Sequence, residues 1–197
     1  MNICNHEVQR LQRLVSDLLD LARIQNGVDV FRLRPMAVGD KVAEVLEIIR
    51  RPASEKKVHL VTKSPAGGSP LICELDPDRF AQIVQNLLYN AIRFTPSDGT
   101  VTVELRRENG EAALYIRDTG IGMNETELQR IWDRFYKAQA SRSSAESDGT
   151  GLGLTIVKHL VGAMKGTIGA ESEVGGGTVF RVAFPPLSNA MLEKGGA

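Results

Sequence analysis

The sequence predicts an α+β fold: a sheet with helices on one face, an α/β sandwich, preceded by a long N-terminal helix. Three observations lead there. Strand-like alternation and helix-period stripes interleave from residue 31 to residue 184, short Gly- and Pro-containing turns separate them, and the first 25 residues carry one continuous helical stripe. A chain of 197 residues holds one domain of ordinary size plus a helical extension. The organisation expected is therefore a helix over 1–27, one domain over 28–186 and a disordered tail over 187–197, with no internal repeat.

In the first segment Leu11, Leu14, Leu18 and Leu21 recur at alternating spacings of three and four, and Val8, Val15 and Ala22 widen the stripe. That is a coiled-coil-like seam, and it must bury itself on a partner helix. Asn26-Gly27 stops it. The opening Met1-Asn2-Ile3 reads as a start inside a helix, as expected of a piece cut from a longer protein. A short strand is expected over 31–36 and an amphipathic helix over 38–55. A strand over 57–63, a turn over 64–70 and a strand over 71–75 follow. Asp76-Pro77 is an N-cap followed by proline at the first helical position, and opens a helix to Phe94. A hairpin over 100–106 and 112–117 turns at Asn109-Gly110. Helices are expected over 124–134 and 152–164, with a Ser- and Gly-rich loop between them, and strands over 166–171 and 178–184 complete the fold.

The bulk numbers exclude several classes. Acidic and basic residues balance at 24 each, so the basic excess of a nucleic-acid-binding surface is missing. No apolar run approaches the roughly 20 residues needed to cross a bilayer. Cys4 and Cys73 stand alone, without metal-ligand spacing, and read as reduced thiols of a cytosolic protein.

Three stretches carry chemistry. Asp118-Thr119-Gly120-Ile121-Gly122-Met123 places a carboxylate at a strand end before two glycines. The carboxylate can accept from the exocyclic amine of adenine, and Gly120 and Gly122 let backbone approach a flat ring. Taken alone, an Asp-x-Gly turn is common and the bland reading is the better one. Gly149-Thr150-Gly151-Leu152-Gly153-Leu154 runs into a helix, where exposed N–H groups and the positive end of the dipole suit a phosphate. It lacks both the Gly-Lys-Ser/Thr ending of a P-loop and the dinucleotide spacing. Asn86, Asn90 and Arg93 share one face of the helix that starts at Asp76, beside a core stripe of Phe80, Ile83, Val84, Leu87 and Ala91. Asparagine disfavours helix interiors, and an amide oxygen can ligate Mg²⁺. For either asparagine singly, a solvated polar face is the simpler account.

Together and in this order, the stretches resemble the gyrase-type (GHKL, or Bergerat) ATP-binding fold, and within it the catalytic domain of the sensor histidine kinases of two-component systems. Residues 82–95 (QIVQNLLYNAIRFT) are similar to that family's N box, Asp118–Met123 to its first glycine box, Ile131-Trp132-Asp133-Arg134-Phe135-Tyr136 to its F box and Gly149–Leu154 to its second glycine box. Gly175-Gly176-Gly177-Thr178 resembles the glycine-rich stretch before the last strand, and residues 14–23 (LVSDLLDLAR) resemble the second dimerisation helix.

The resemblance implies a two-layer α/β sandwich with a mixed sheet, ATP and Mg²⁺ as cofactors, and a role for each matched residue. Asp118 would read adenine, with Thr178 nearby and Phe94 against the ring. Gly120, Ile121, Gly122 and Met123 would line the base. Asn90 would hold Mg²⁺. Arg93, where the family has lysine, would keep a charge beside the phosphates, and Arg134, Phe135, Lys137 and Arg142 would border them. Gly149, Thr150, Gly151, Leu152, Gly153 and Leu154 would cradle them, under a mobile lid of 137–148. Asn86 stands where gyrase-type hydrolases carry a glutamate. An amide cannot take a proton from water, so hydrolysis should be slow and the γ-phosphoryl kept for a histidine.

These kinases phosphorylate a histidine in an H-E-x-x-[TN]-P type motif. Here His6-Glu7 continues as Val8-Gln9-Arg10-Leu11, and His59 and His159 read as ordinary surface positions. The acceptor helix is therefore an expected partner rather than part of the chain, with a response regulator receiver domain downstream and a homodimer in the full-length protein. Two other functions fit the same motifs: a nucleotide-binding regulatory module without phosphotransfer, and a gyrase-type ATP hydrolase.

Overall fold

Alternation decides which face of the main sheet is covered. The computed structural model describes residues 30–63, 70–137 and 150–187, together with Val15, Leu18, Leu19 and Ala22, which are helical. In chain order the elements are β1 (Arg34–Ala37), α1 (Val38–Glu55), β2 (His59–Lys63), β3 (Ile72–Leu75), α2 (Pro77–Phe94), β4 (Thr100–Glu108) and β5 (Glu111–Asp118). Then come α3 (Glu125–Arg130), α4 (Gly153–Ala163), β6 (Thr167–Glu173) and β7 (Gly177–Phe184).

Five strands form one sheet in the order β2-β4-β5-β7-β6. β2 runs parallel to β4 and the remaining neighbours are antiparallel, so the sheet is mixed. Register lines up Val103, Ile116, Phe180 and Ala170 in one cross-strand row, and Leu105, Leu114, Val182 and Ile168 in the next. This face meets the helices. α2 contacts both α1 and α4 and reaches β4 and β5. It buries Phe80, Ile83, Val84, Leu87, Leu88, Ala91 and Ile92, and α4 adds Ile156, Val157, Leu160 and Val161 to the same core. The other face is polar. There Tyr115 lies between the guanidinium groups of Arg106, 4.8 Å from its ring centre, and Arg181, at 6.0 Å, and donates to Glu108 at 2.6 Å.

The expected single sheet is corrected in one respect: β1 and β3 pair antiparallel with each other as a separate two-stranded sheet. It is linked to the main sheet by the Cys73 thiol, 3.9 Å from Phe184 O of β7, and by the segment after β7, where the Leu187 N–H donates to Ile72 O at 2.9 Å. Leu187, expected in the tail, is thus tied to β3, while 188–197 lie outside the described residues. Other boundaries move by local geometry. Lys57 has φ +58°, so β2 begins at His59 rather than at residue 57. The helix expected over 124–134 spans Glu125–Arg130, and the chain then turns through the F box to Phe135, whose φ is +60°. His59 is exposed as expected, but His159 is half-buried in α4. Cys73 is a buried free thiol, and burial pushes its pKa up to about 11.

Asp76 joins three parts of the domain. Its Oδ1 accepts from the N–H groups of Asp78 (3.0 Å) and Arg79 (3.1 Å), capping α2. Its Oδ2 accepts from the Arg32 N–H at 2.8 Å, holding the segment before β1. Burial pushes this carboxyl up, but the bonds from Arg32, Arg79 and Asp78 outweigh it and hold the pKa below the ordinary aspartate value. The stabilisation is complete above that ordinary value and is lost as pH falls through the lowered folded one. Asp76→Ala is expected to lower the unfolding free energy by about 1–2 kcal/mol, measured by urea denaturation at neutral pH, with a smaller loss for Asp76→Asn.

Candidate functional site

The alternation along β5 buries Ala112, Leu114 and Ile116 and then delivers Asp118 to the same covered face. Asp118 is 4% exposed. Its Oδ1 accepts from the Gly120 N–H at 2.8 Å and the Thr178 N–H at 3.2 Å. Among the described residues no bond is made to Oδ2. Burial raises the carboxyl above its ordinary pKa, and the two backbone bonds oppose that shift. A buried acid with an idle oxygen, placed where an apolar residue would stabilise the fold, is a candidate binding position.

Cross-strand register supplies its neighbours. Arg117 pairs with Val179 and Ser172 with Thr178, so one rung further Asp118, Thr178 and Ser172 form a polar row across β5, β7 and β6. Ser172 Oγ accepts from the Met123 N–H at 2.9 Å, donates to Gly177 O at 2.9 Å and lies 2.8 Å from Thr178 Oγ1. The Gly175 N–H donates to Ile121 O at 2.8 Å. The turn between β6 and β7 is therefore bonded onto the first glycine loop. Gly122 shows why no side chain fits: its φ is +64° and a Cβ would stand 1.8 Å from Glu173 O. The packing of one loop on another by itself requires the glycine.

The carboxyl end of α2 closes one side. The Ile121 N–H donates to Phe94 O at 3.3 Å, and the Arg93 guanidinium lies 5.1 Å from the Phe94 ring centre. Lys56 Nζ donates to Arg93 O, placing a cation at the negative end of the helix. Asn86, Asn90, Arg93 and Phe94 are all half-buried. Asn86 faces the start of α4, where a Cβ on Gly153 would stand 3.6 Å from Asn86 Oδ1. The first asparagine is thereby brought to a helix N-terminus and Phe94 to the first glycine loop.

The F box and second glycine box meet at the opposite side. The Phe135 N–H donates to Gly151 O at 3.0 Å, the Thr155 hydroxyl to Trp132 O at 3.0 Å and the Leu152 N–H to Thr150 Oγ1 at 3.1 Å. Gly151 has φ +74°, with the Phe135 backbone 2.8 Å from where a Cβ would be. Leu152 is fully buried, and Gly153 and Leu154 are half-buried. Arg134 and Phe135 are exposed and Lys137 is half-buried. Gly149, Arg142 and the expected lid beyond Lys137 lie outside the described residues.

Among the described residues no group of three or more His, Cys, Asp or Glu could hold a metal. A cation here would need oxygens from a ligand beside an amide such as Asn90, a donor set that Mg²⁺ accepts when it shares phosphates and keeps waters. No described helix is long and apolar enough to cross a membrane. Sequence reasoning missed Ser172 and Lys56. Their local context is an ordinary strand and an ordinary helix end, and only strand register and tertiary docking bring them to the site.

Asp118→Asn keeps an acceptor for both backbone bonds and removes a buried charge. Because the folded pKa is raised, the charged acid destabilises the fold above that pKa, and protonation relieves this as pH falls. The variant is expected to melt no lower than the parent at neutral pH, and its advantage to vanish at pH below the ordinary aspartate pKa, as read by thermal melts across that range.

Residues 75–189 match the family model described as histidine kinase-, DNA gyrase B- and HSP90-like ATPase. The circadian input-output histidine kinase CikA of Synechococcus elongatus is 33% identical over 177 residues, which cover 90% of this chain and 23% of that protein. The cell-division control histidine kinase PdhS of Brucella anthropi is 34% identical, with 92% of this chain and 18% of that protein covered. The chain thus spans about a fifth of the length of the curated relatives it matches. Among solved structures, full-length ShkA in complex with AMPPNP superposes with a TM-score of 0.77 at 28% identity, over 90% of this chain and 36% of that one. The mycobacterial sensor histidine kinase MprB gives 0.66 at 26% identity, over 79% of this chain and 99% of that one. The chain belongs to the histidine kinase-, DNA gyrase B- and HSP90-like ATPase family, and within it is similar to the ATP-binding catalytic domains of histidine kinases.

Proposed function

We propose that this chain transfers the γ-phosphoryl group of Mg-ATP to a histidine on a separate helix, for onward relay to a response regulator receiver domain. The observation that carries the reading is Asn86, whose Oδ1 lies against the start of α4 at Gly153. A helix start of this kind suits nucleotide phosphates. The side chain beside it is an amide, which cannot act as a general base toward water. Water attack is therefore poorly served, and a positioned imidazole becomes the better nucleophile.

The remaining residues have supporting roles. Asp118 Oδ2 accepts from the adenine amine, with Thr178 beside it and Phe94 against the ring. Gly120, Ile121, Gly122 and Met123 border the base. Arg93, Arg134 and Lys137 supply positive charge toward the phosphates, and the backbone from Thr150 to Leu154 receives them, with Gly149 at its start. Asn90 would hold Mg²⁺, whose chemistry is to neutralise phosphate charge and orient the transferring group. The AMPPNP bound to ShkA, an ATP analogue, supports the nucleotide class. Pairing through the N-terminal helix in the full-length protein is supported by Val15, Leu18 and Leu19, which are helical and 55%, 48% and 55% exposed. The setting proposed is the cytoplasmic portion of a bacterial sensor, where ATP is available.

Incubating the chain with Mg-ATP and a separate helical hairpin bearing the acceptor histidine is expected to yield acid-labile phosphohistidine on the hairpin. Steady phosphate release without it would assign a gyrase-type hydrolase instead, and nucleotide binding with neither product a regulatory module. Asn90→Ala is expected to abolish the tightening of ATP binding by Mg²⁺ in calorimetric titrations. A variant that still tightens would remove Asn90 from the metal site.

A further inference from the structure

We propose that Ser172 determines which purines the pocket accepts, by taking the Thr178 hydroxyl proton and leaving an acceptor-only edge toward the base. The inference rests on the adenine-reading role given to Asp118 above, and extends it to a residue that no motif marks.

The proton ledger of Ser172 leads to this assignment. A serine hydroxyl has one proton and two lone pairs. Gly177 O can only accept, so the 2.9 Å contact uses the Ser172 proton. The Met123 N–H can only donate, so its 2.9 Å contact uses one lone pair. The 2.8 Å contact to Thr178 Oγ1 is then a bond only if Thr178 donates its proton to the second lone pair. Thr178 has no hydroxyl proton left to offer a ligand. Its backbone N–H is committed as well, to Asp118 Oδ1.

Asp118 Oδ2 and Thr178 Oγ1 therefore both present lone pairs, and both residues are buried, at 4% and 6% exposure. Facing position 6 of the ring, such an edge can receive both N–H donors of the exocyclic amine of a 6-amino purine. A 6-oxo purine brings a carbonyl oxygen, so acceptor faces acceptor in a site with little water to relieve it. Removing the Ser172 hydroxyl frees the Thr178 hydroxyl to rotate and donate to that carbonyl. Ser172 thus acts through Thr178, as a positioning residue for specificity. The row supports it on either side: the Met123 bond holds the first glycine loop, and the Gly177 bond holds the β6–β7 turn. A purely structural serine would serve ATP and ITP alike, and that difference makes the assignment testable.

The test measures dissociation constants of ATP and ITP, each with Mg²⁺, by calorimetry on the full chain, after thermal melts establish folding. The parent is expected to favour ATP, and Ser172→Ala to lower the ATP-over-ITP preference by about three- to tenfold, the scale of one hydrogen bond. Ser172→Thr, which keeps a hydroxyl, is expected to restore the preference. If Ser172→Ala does not fold, Ser172→Cys replaces it, since the thiol keeps the shape and loses most of the hydrogen bonding. Equal weakening of both nucleotides, with the ratio within about twofold of the parent's, would overturn the inference and leave Asp118 as the reader of adenine. A parent that shows no preference for ATP would instead overturn the adenine reading itself, and the inference with it.

Discussion

A single carboxylate oxygen ties the site together. Asp118 Oδ1 gathers the N–H of Gly120 and the N–H of Thr178 in a place nearly closed to water. Through it the end of β5, the first glycine loop and the start of β7 hold one geometry. The bonds only partly offset the cost of burying a charge, so the acid keeps a raised pKa and a second oxygen without a partner among the described residues. Stability alone would place another apolar residue on the covered face beyond Ile116.

Helix α2 transmits this order to the rest of the domain. Its amino end is fixed by Asp76, which also holds Arg32. Its apolar stripe is buried between α1, α4 and the sheet, leaving Asn86, Asn90 and Arg93 half-buried. Its carboxyl end is held twice, by Lys56 on Arg93 O and by Ile121 on Phe94 O. Asn86, Asn90 and Arg93 are spaced by the helix itself, at intervals of four and three residues.

The glycines of both boxes also hold loops together. Gly122 and Gly151 carry positive φ and leave no room for a side chain, because other backbone occupies that space: Glu173 O in one case and Phe135 in the other. Both glycine boxes are points where loops are bonded to each other. The Phe135 to Gly151 bond also brings together the two ends of the segment between F box and second glycine box.

Much of this was legible in the sequence because the relevant forces are local. The 3.6-residue stripe of α2, the Asp76-Pro77 start, the Asn109-Gly110 turn and the two-residue alternation of β4, β5 and β7 follow from side-chain periodicity and backbone preference within one element. The Asn86, Asp118 and glycine motifs were visible for the same reason, as local patterns whose residue types disfavour their surroundings. What no local rule supplies is register. Whether Ser172 stands beside Thr178 depends on which rung of β6 meets which rung of β7, and a slip of one residue would turn it to the opposite face. The separation of β1 and β3 from the main sheet, the docking of Leu187 on Ile72 and the grip of Lys56 on Arg93 are likewise long-range. Local side-chain pattern was thus enough to specify the elements, the family resemblance and the available chemistry. Tertiary packing decided which groups meet, because contacts between distant segments are chosen by burial of the whole core and not by any stretch alone.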